Sequence, residues 1–345
     1  MSKTYFRPLG LCYGSDAEQL IAQRRAGRLG GSAAIGFTLV ERITRNGNSV
    51  DREIIPYTDV LQSIETPRGD FAGVAMDAPK IMGIVNVTPD SFSDGGQHGT
   101  AEMGSRHGLE LAAEGAHILD IGGESTRPGS DAVSVEEELS RVIPAVKSLA
   151  VAGHVVSIDT RKPAVMREAV KAGAVTINDV SALQHDAESL RTVADLKVPV
   201  VLMHAQGDPR TMQLNPNYDD VALDVYDQLE QRVLACVQAG IPRSRIAIDP
   251  GIGFGKTFRH NLEILNQITL FHGLGVVVLL GLSRKGFVGA LTGEKTAGKR
   301  VHGSVGGAVQ AALNGVHILR VHDVKATVEA LAVAMAAVEP KSIEF

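Results

Sequence analysis

Residues 155–181 read VVSIDTRKPAVMREAVKAGAVTINDVS. A short run rich in β-branched residues ends at the polar Asp159, a segment of helical composition follows over 163–172, and a second such run ends at Asn178. Pro163 stands in the first turn of the predicted helix, where its missing N–H costs no hydrogen bond. A strand, a helix and a strand in this order predict two parallel strands joined by a right-handed crossover.

The same alternation recurs along most of the chain. Strand-like runs are separated by segments with helical periodicity, and Gly115 and Gly240 end two of those segments as helix stops. The eight runs occupy residues 81–88, 117–123, 155–160, 174–181, 199–204, 245–251, 276–285 and 316–323. Eight such units in about 250 residues predict an α/β fold, a closed (β/α)8 TIM barrel. An open doubly wound sheet is the alternative, because a count of strands does not prove closure.

The first 80 residues do not continue this alternation. Weak period-two patterns at 35–43 and 50–57 flank Asn46-Gly47-Asn48, and Asn-Gly is typical of a tight hairpin turn. We therefore predict a small β-containing N-terminal extension over residues 1–80 and a barrel over residues 81–345.

The composition restricts the class of protein. The 345 residues carry a net charge of −5, which argues against a general affinity for nucleic acid or for an anionic membrane. The N-terminus shows no signal peptide, and the most apolar stretch, 275–282, is too short to cross a bilayer. Cys12 and Cys236 are far apart and are expected to be reduced thiols. The prediction is a cytoplasmic protein without nucleic-acid or membrane partners.

Every predicted strand ends in a side chain that forms hydrogen bonds. Catalytic groups of a TIM barrel stand at these C-terminal ends, so the side chains are expected to line one cavity. Carboxylates and an amide suit a flat ligand rich in N–H donors, such as the aminopyrimidinone edge of a pterin, and they come from Asp120, Asp159, Asn178 and Asp249. Cationic groups suit phosphate oxygens or a developing anion, and they come from Arg127, Lys285, Arg320 and His322.

Two further patterns bear on cofactors. No His, Cys and Glu cluster has zinc-ligand spacing, and a hard ion such as Mg²⁺, bound by one or two oxygens and by substrate phosphates, is favoured instead. The glycine-rich segment 251–257 resembles a nucleotide-binding P-loop, but Pro250 stands where that motif needs glycine. Proline has no N–H to offer a phosphate, so a nucleotide triphosphatase is disfavoured.

Several long motifs, in chain order, resemble those of the dihydropteroate synthases. They are NVTPDSFSDGG at 86–96, GGESTRPG at 122–129, SIDT at 157–160, INDV at 177–180, DPG at 249–251 with GFGK at 253–256, SRK at 283–285 and RVHD at 320–323. The resemblance covers about residues 80–338. It implies a Mg²⁺-dependent transferase of folate biosynthesis that condenses 7,8-dihydropterin-6-ylmethyl diphosphate with p-aminobenzoate, giving 7,8-dihydropteroate and pyrophosphate. It also implies a homodimer and competitive inhibition by sulfonamides.

The resemblance also implies roles for individual residues. Those of the pterin site are Asp120, Asp159, Asn178, Met203, Asp249 and Lys285. Those that bind pyrophosphate are Asn86, Arg127, Arg320 and His322, with Asn86 also contacting the Mg²⁺. Those of the p-aminobenzoate pocket are Phe92, Thr126, Pro128, Phe254, Lys285 and Gly286. The residues that carry the catalysis are Asp159, Lys285, Arg320 and His322.

Two other functions are weighed against the synthase. A pterin-dependent methyltransferase shares the barrel but would not require the motif at 283–285 or the long loop at 86–96. A non-catalytic pterin-binding paralogue would be expected to lose Arg320, His322 or that loop. One position departs from the family pattern, since Gly286 stands where many members have a serine that helps to bind the p-aminobenzoate carboxylate. The backbone N–H of Gly286 is its possible substitute.

Overall fold

The structure is a computed structural model that describes residues 2–57, 61–88, 97–125, 133–207 and 212–339, with residues 97–100 described as backbone only. Its N-terminal part is an antiparallel sheet in which β3 pairs with β1, β2 and β4. The elements are β1 (Ser2–Tyr13), α1 (Gly14–Ala22), β2 (Gly27–Arg28), β3 (Ile35–Asn46), β4 (Ser49–Pro56) and α2 (Gln62–Glu65).

The predicted hairpin is confirmed, and the sheet is larger than the sequence indicated. Asn46 pairs with Ser49 across a two-residue turn in which Gly47 has a φ of 58°, a left-handed conformation that favours glycine. Strand β1 was not predicted, because it carries Pro8 and Gly10 and its partner β3 lies more than 20 residues away in the chain.

Eight parallel strands form the closed barrel, and they follow one another around it in chain order. They are β5 (Lys80–Asn86), β6 (Ile118–Gly122), β7 (Val156–Asp159), β8 (Thr176–Asp179), β9 (Val200–Met203), β10 (Ile246–Asp249), β11 (Val277–Leu280) and β12 (Ile318–Val321). The last strand pairs with the first, with Leu319 opposite Ile81. This pairing confirms the TIM barrel and excludes the open sheet.

The helices surround this barrel. They are α3 (Gln97–Ala113), α4 (Val135–Val151), α5 (Pro163–Ala172), α6 (Ser189–Leu196), α7 (Val221–Gln238), α8 (Phe258–Asn266), α9 (Gly286–Thr292), α10 (Val301–Leu313) and α11 (Val324–Val338). Helix α8 ends at Asn266, and a 3-10 turn over Ile268–Leu274 follows it. None of the described helices is long and apolar enough to cross a membrane.

The two ends of the barrel are filled differently. Phe71 is fully buried and closes the N-terminal end, where it belongs to one apolar cluster with Met82, Ile118 and Val277. The polar residues stand at the C-terminal ends of the strands. The N-terminal end of the barrel therefore contributes to stability, and the functional groups are expected at the C-terminal end.

The extension packs along α7. Tyr5 and Ile43 belong to the main core cluster of the barrel, and Tyr5 meets Tyr226 edge to face with ring centroids 5.4 Å apart. Lys3 pairs with Asp227 at 2.5 Å, and Arg45 pairs with Asp224 at 2.6 Å. The division of the chain into domains at residue 80 stays a prediction.

Candidate active site

A cavity of about 670 Å³ opens at the C-terminal ends of the barrel strands. Seven of the predicted residues line it, namely Asn86, Asp159, Phe254, Lys285, Gly286, Arg320 and His322. Four others, Asp120, Asn178, Met203 and Asp249, are buried in the C-terminal halves of four barrel strands. Phe92, Thr126, Arg127 and Pro128 lie outside the described residues.

Arg320 connects two carboxylates at the base of the cavity. Its Nε donates to Asp120 Oδ2 at 2.6 Å and its second terminal nitrogen donates to Asp159 Oδ2 at 2.7 Å. Asn178 Nδ2 donates to the same Asp120 oxygen at 2.9 Å. Burial raises the pKa of Asp159 to about 7, although the guanidinium of Arg320 opposes this. The predicted pterin and pyrophosphate residues therefore form one hydrogen-bonded unit.

One acceptor of this unit has no partner. Asp120 is fully buried, and its Oδ1 accepts no hydrogen bond from the part of the chain that the structure describes. A buried carboxylate oxygen without a donor is costly, so the site favours a ligand or water that brings an N–H or O–H to this point.

Lys285 and Asp249 are opposite charges near enough for each to affect the pKa of the other. Lys285 Nζ donates to the carbonyl of Ile252 and lies 4.7 Å from the ring centroid of Phe254. Burial lowers the pKa of Lys285 to about 8, while nearby Asp249 opposes the shift. Burial raises the pKa of Asp249, whose Oδ1 accepts the Gly251 N–H at 2.8 Å. The lysine can therefore present its ammonium both to an aromatic wall and to a ligand.

The turn after β11 has a strained backbone and is held by several hydrogen bonds. Arg284 has a φ of 61°, unusual for a residue with a side chain. Its N–H donates to Ser304 Oγ at 2.9 Å and its Nε donates to Asp323 at 3.0 Å. In the same turn, Ser283 Oγ accepts the His322 N–H at 3.2 Å and lies 3.1 Å from His322 Nδ1. These contacts fix His322 and Lys285 relative to each other.

The loop after β10 is held through its carbonyls, a feature that the sequence analysis missed. Lys256 is 1% exposed, and its Nζ donates to Gly251 O at 2.8 Å and Phe254 O at 3.0 Å and lies 2.8 Å from His204 Nδ1. Tyr218 Oη donates to Gly255 O at 2.7 Å, and Gln213 donates to the carbonyl of Gly253. The signal in the sequence is a single lysine in an otherwise glycine-rich and apolar motif, GFGK at 253–256. The motif alone does not indicate that this side chain binds the carbonyls of its own loop.

The turn after β8 shows that Asp179 has a structural role. Its carboxylate accepts the Ser181 N–H at 2.7 Å and the Leu183 N–H at 3.0 Å. Ala182 and Leu183 have φ values of 51° and 62°, so this turn needs such support. Asp179 therefore shapes the turn beside Asn178 and does not line the cavity.

Asn86 offers an oxygen for a metal ion. A β-carbon placed on Gly122 would lie 3.9 Å from Asn86 Oδ1 and 3.7 Å from Asp159 Oδ2, so both oxygens face the same small space. Among the described residues, no group of three His, Cys, Asp or Glu side chains is arranged to bind a metal. A donor set of one amide oxygen and one shared carboxylate fits Mg²⁺, which keeps waters and takes phosphate oxygens as ligands.

Comparisons with known proteins agree with this geometry. A family model described as pterin binding enzyme matches residues 82–322. The dihydropteroate synthase of Escherichia coli K12 is 46% identical over 272 residues, which are 78% of this chain and 96% of that protein. About a fifth of this chain therefore has no counterpart in that relative.

Solved structures give the same result. The Xanthomonas albilineans dihydropteroate synthase with 4-aminobenzoic acid is 54% identical, with a TM-score of 0.73, over 77% of this chain and 96% of that one. The Yersinia pestis dihydropteroate synthase in complex with a sulfonamide drug is 44% identical, with a TM-score of 0.73, over 76% and 96% of the two chains.

Proposed function

The chain belongs to the dihydropteroate synthases, and from this premise we propose how its barrel carries out the transfer. The reaction condenses 7,8-dihydropterin-6-ylmethyl diphosphate with p-aminobenzoate, forming 7,8-dihydropteroate and pyrophosphate. The observation that supports our assignment is the presence of acidic and basic groups in one cavity. Arg320 bridges two carboxylates at its base, and Lys285 and His322 also belong to its lining.

The pterin ring is assigned to the acidic base of the cavity. Asp249 Oδ2 and the unpartnered Asp120 Oδ1 are acceptors for N–H groups, and Asn178 adds an amide. Lys285 supplies a donor for the pterin carbonyl or ring nitrogen. Met203 lies opposite Asp249 in the strand register and gives this base an apolar contact. Such a site is complementary to both edges of the pterin.

The diphosphate is assigned to Arg320 and His322. Asn86 would hold Mg²⁺ against the diphosphate oxygens, and the ion would supply neutralisation of the leaving group's charge. The C–O bond to the exocyclic CH₂ breaks, and the electron pair leaves with the pyrophosphate. The positive charge left on the carbon is delocalised into the ring, where the ionised Asp159 and Asp249 stabilise it.

The p-aminobenzoate is assigned to the wall formed by Phe254, Lys285 and Gly286. Its aryl amine attacks the CH₂ carbon, a C–N bond forms, and the surplus amine proton passes to solvent. An aryl amine is already nucleophilic at neutral pH, so the reaction needs no dedicated base. Positioning and electrostatics therefore provide the catalysis.

A pyrophosphate-release assay tests this function directly. Release should require both the pterin diphosphate and p-aminobenzoate, and Lys285→Ala should lower kcat/KM by at least about 100-fold, since a buried charged donor is lost. Unaltered release from Lys285→Ala would contradict the assigned site. Tight pterin binding without release would instead indicate a binding-only protein.

We further propose that sulfonamides compete with p-aminobenzoate for this pocket. Phe254 is in the cavity wall, and residues 92, 127 and 128 carry the Phe, Arg and Pro of the family motif. Steady-state inhibition should therefore raise the apparent KM for p-aminobenzoate and leave kcat unchanged. A purely non-competitive pattern would refute the shared pocket.

We propose a homodimer and a cytoplasmic location, because both are expected of a member of this family. Sedimentation velocity at several concentrations checks the first and localisation of a tagged chain checks the second.

A further inference from the structure

A second cavity, of about 450 Å³, lies at the N-terminal ends of the barrel strands, opposite the active site. One of its walls consists of residues between Gln62 and Gly69, which precede the region matched by the family model. The other wall consists of Arg243 and Ser244, just before β10, and of residues 273–277 at the start of β11. Its volume lies in the range of small-molecule sites.

Two arginines from opposite walls meet at this cavity. Arg68 donates to the carbonyls of Ser63 and Thr66, each at 2.7 Å, and to that of His272 at 3.3 Å, and Arg243 donates to the carbonyl of Leu274 at 2.7 Å. His272 and Leu274 are two residues apart in one 3-10 turn, and both arginines line the same cavity. Within the described ranges, neither is paired with a carboxylate.

The charge of these arginines is not balanced locally. Burial lowers the pKa of Arg68 to about 10, and no acidic group opposes this shift. Its Nε is buried and has no partner among the described residues. The acid in the cavity wall, Glu230, is bound to Lys3 at 2.5 Å. Two guanidinium groups without a counter-charge favour an anion between them.

The remaining residues of the lining indicate that the ligand also has an apolar part. Pro67, Leu274 and Val276 give apolar contacts. A β-carbon on Gly69 would meet nothing within 4 Å, so this side is open. We propose that the cavity binds a small phosphorylated or carboxylated metabolite, with its anionic group between Arg68 and Arg243 and its apolar part against these residues. The site would then join the N-terminal extension to the barrel.

Calorimetric titration with inorganic pyrophosphate and with citrate tests this proposal. The background is the Arg320→Met/His322→Gln variant, which weakens the anion site of the active centre. We expect binding of one of these anions with 1:1 stoichiometry and a Kd below ~1 mM. Adding Arg68→Gln and Arg243→Gln should weaken it at least tenfold. Pyrophosphate without citrate would identify a phosphorylated ligand, and citrate alone a carboxylated one.

Controls separate binding from folding. Arg68→Lys/Arg243→Lys keeps both charges and should retain measurable binding, and Arg191→Gln, on the exposed face of α6, should leave it unchanged. Thermal melting of every variant identifies loss of fold. The turnover of Arg68→Gln/Arg243→Gln on an otherwise unaltered chain should stay at the wild-type value. Absence of saturable anion binding, or equal binding after both arginines are replaced in a folded protein, would overturn the proposal.

Discussion

At the scale of single residues, the protonation of Lys285 and Asp159 should set the pH range of activity. Both groups need their charged forms, and burial places their pKa values at about 8 and about 7. The kcat/KM for the pterin diphosphate should therefore fall tenfold per pH unit below about 7 and above about 8. In Lys285→Arg the guanidinium stays protonated, so the alkaline decline should disappear. Persistence of that decline would assign it to another group.

Gly286 provides a second prediction at this scale. It begins α9, its φ is not left-handed, and a β-carbon there would lie 3.5 Å from the Phe258 ring, an ordinary contact. Serine should therefore fit. A hydroxyl that binds the p-aminobenzoate carboxylate would contribute about 1 kcal/mol, lowering the KM for p-aminobenzoate roughly fivefold. Gly286→Ala is the matched control, and equal KM values in the two variants would exclude the hydroxyl contact.

At the scale of elements, Lys256 positions the loop that carries Phe254. Lys256→Met keeps the length of the side chain but leaves the carbonyls of Gly251 and Phe254 without their buried donor. Each loss costs about 1–3 kcal/mol, so the loop should move. We expect the KM for p-aminobenzoate to rise at least tenfold and the unfolding free energy to fall. The exposed Lys299→Met is the control, and an unchanged KM in folded Lys256→Met would contradict this role.

At the scale of the whole molecule, His317 joins the extension to the barrel. Its Nδ1 accepts the Val278 N–H at 3.0 Å, so the neutral ring donates from Nε2 to Gly30 O at 3.1 Å. Burial lowers its pKa from 6.5 to about 4. Because the unfolded chain binds the proton more readily, this contribution is complete above pH 6.5 and is lost as the pH falls towards 4. The total is about 3 kcal/mol.

Denaturant unfolding of the wild type and His317→Gln checks this linkage. Glutamine does not titrate, so the stability difference between the two proteins should shift by about 3 kcal/mol between pH 7.5 and 4. Ionisable groups that do not contact His317 cancel in this difference. A constant difference over that pH range would show that protonation of His317 does not affect stability.

Local residue patterns are enough to predict the repeated strand and helix units and the polar residues at the ends of the strands. Periodicity predicts β7, α5 and β8 because it depends only on residues close together in the chain. The polar residues that follow each strand can be identified for the same reason. The parallel strands then had to bring residues such as Asp159, Lys285 and Arg320 to one end of the barrel. The hairpin is predictable from adjacent residues as well, since the backbone conformation that Asn46-Gly47 adopts favours its turn.

Contacts between residues far apart in the chain are known only once the chain is folded. Closure depends on Leu319 meeting Ile81, and the loop that carries Phe254 depends on donors such as Tyr218 and Lys256 from different elements. The second cavity depends on Arg68 and Arg243, which no motif connects. These arrangements follow from packing the extension and the helices around one barrel, a physical outcome that no local pattern of residues specifies.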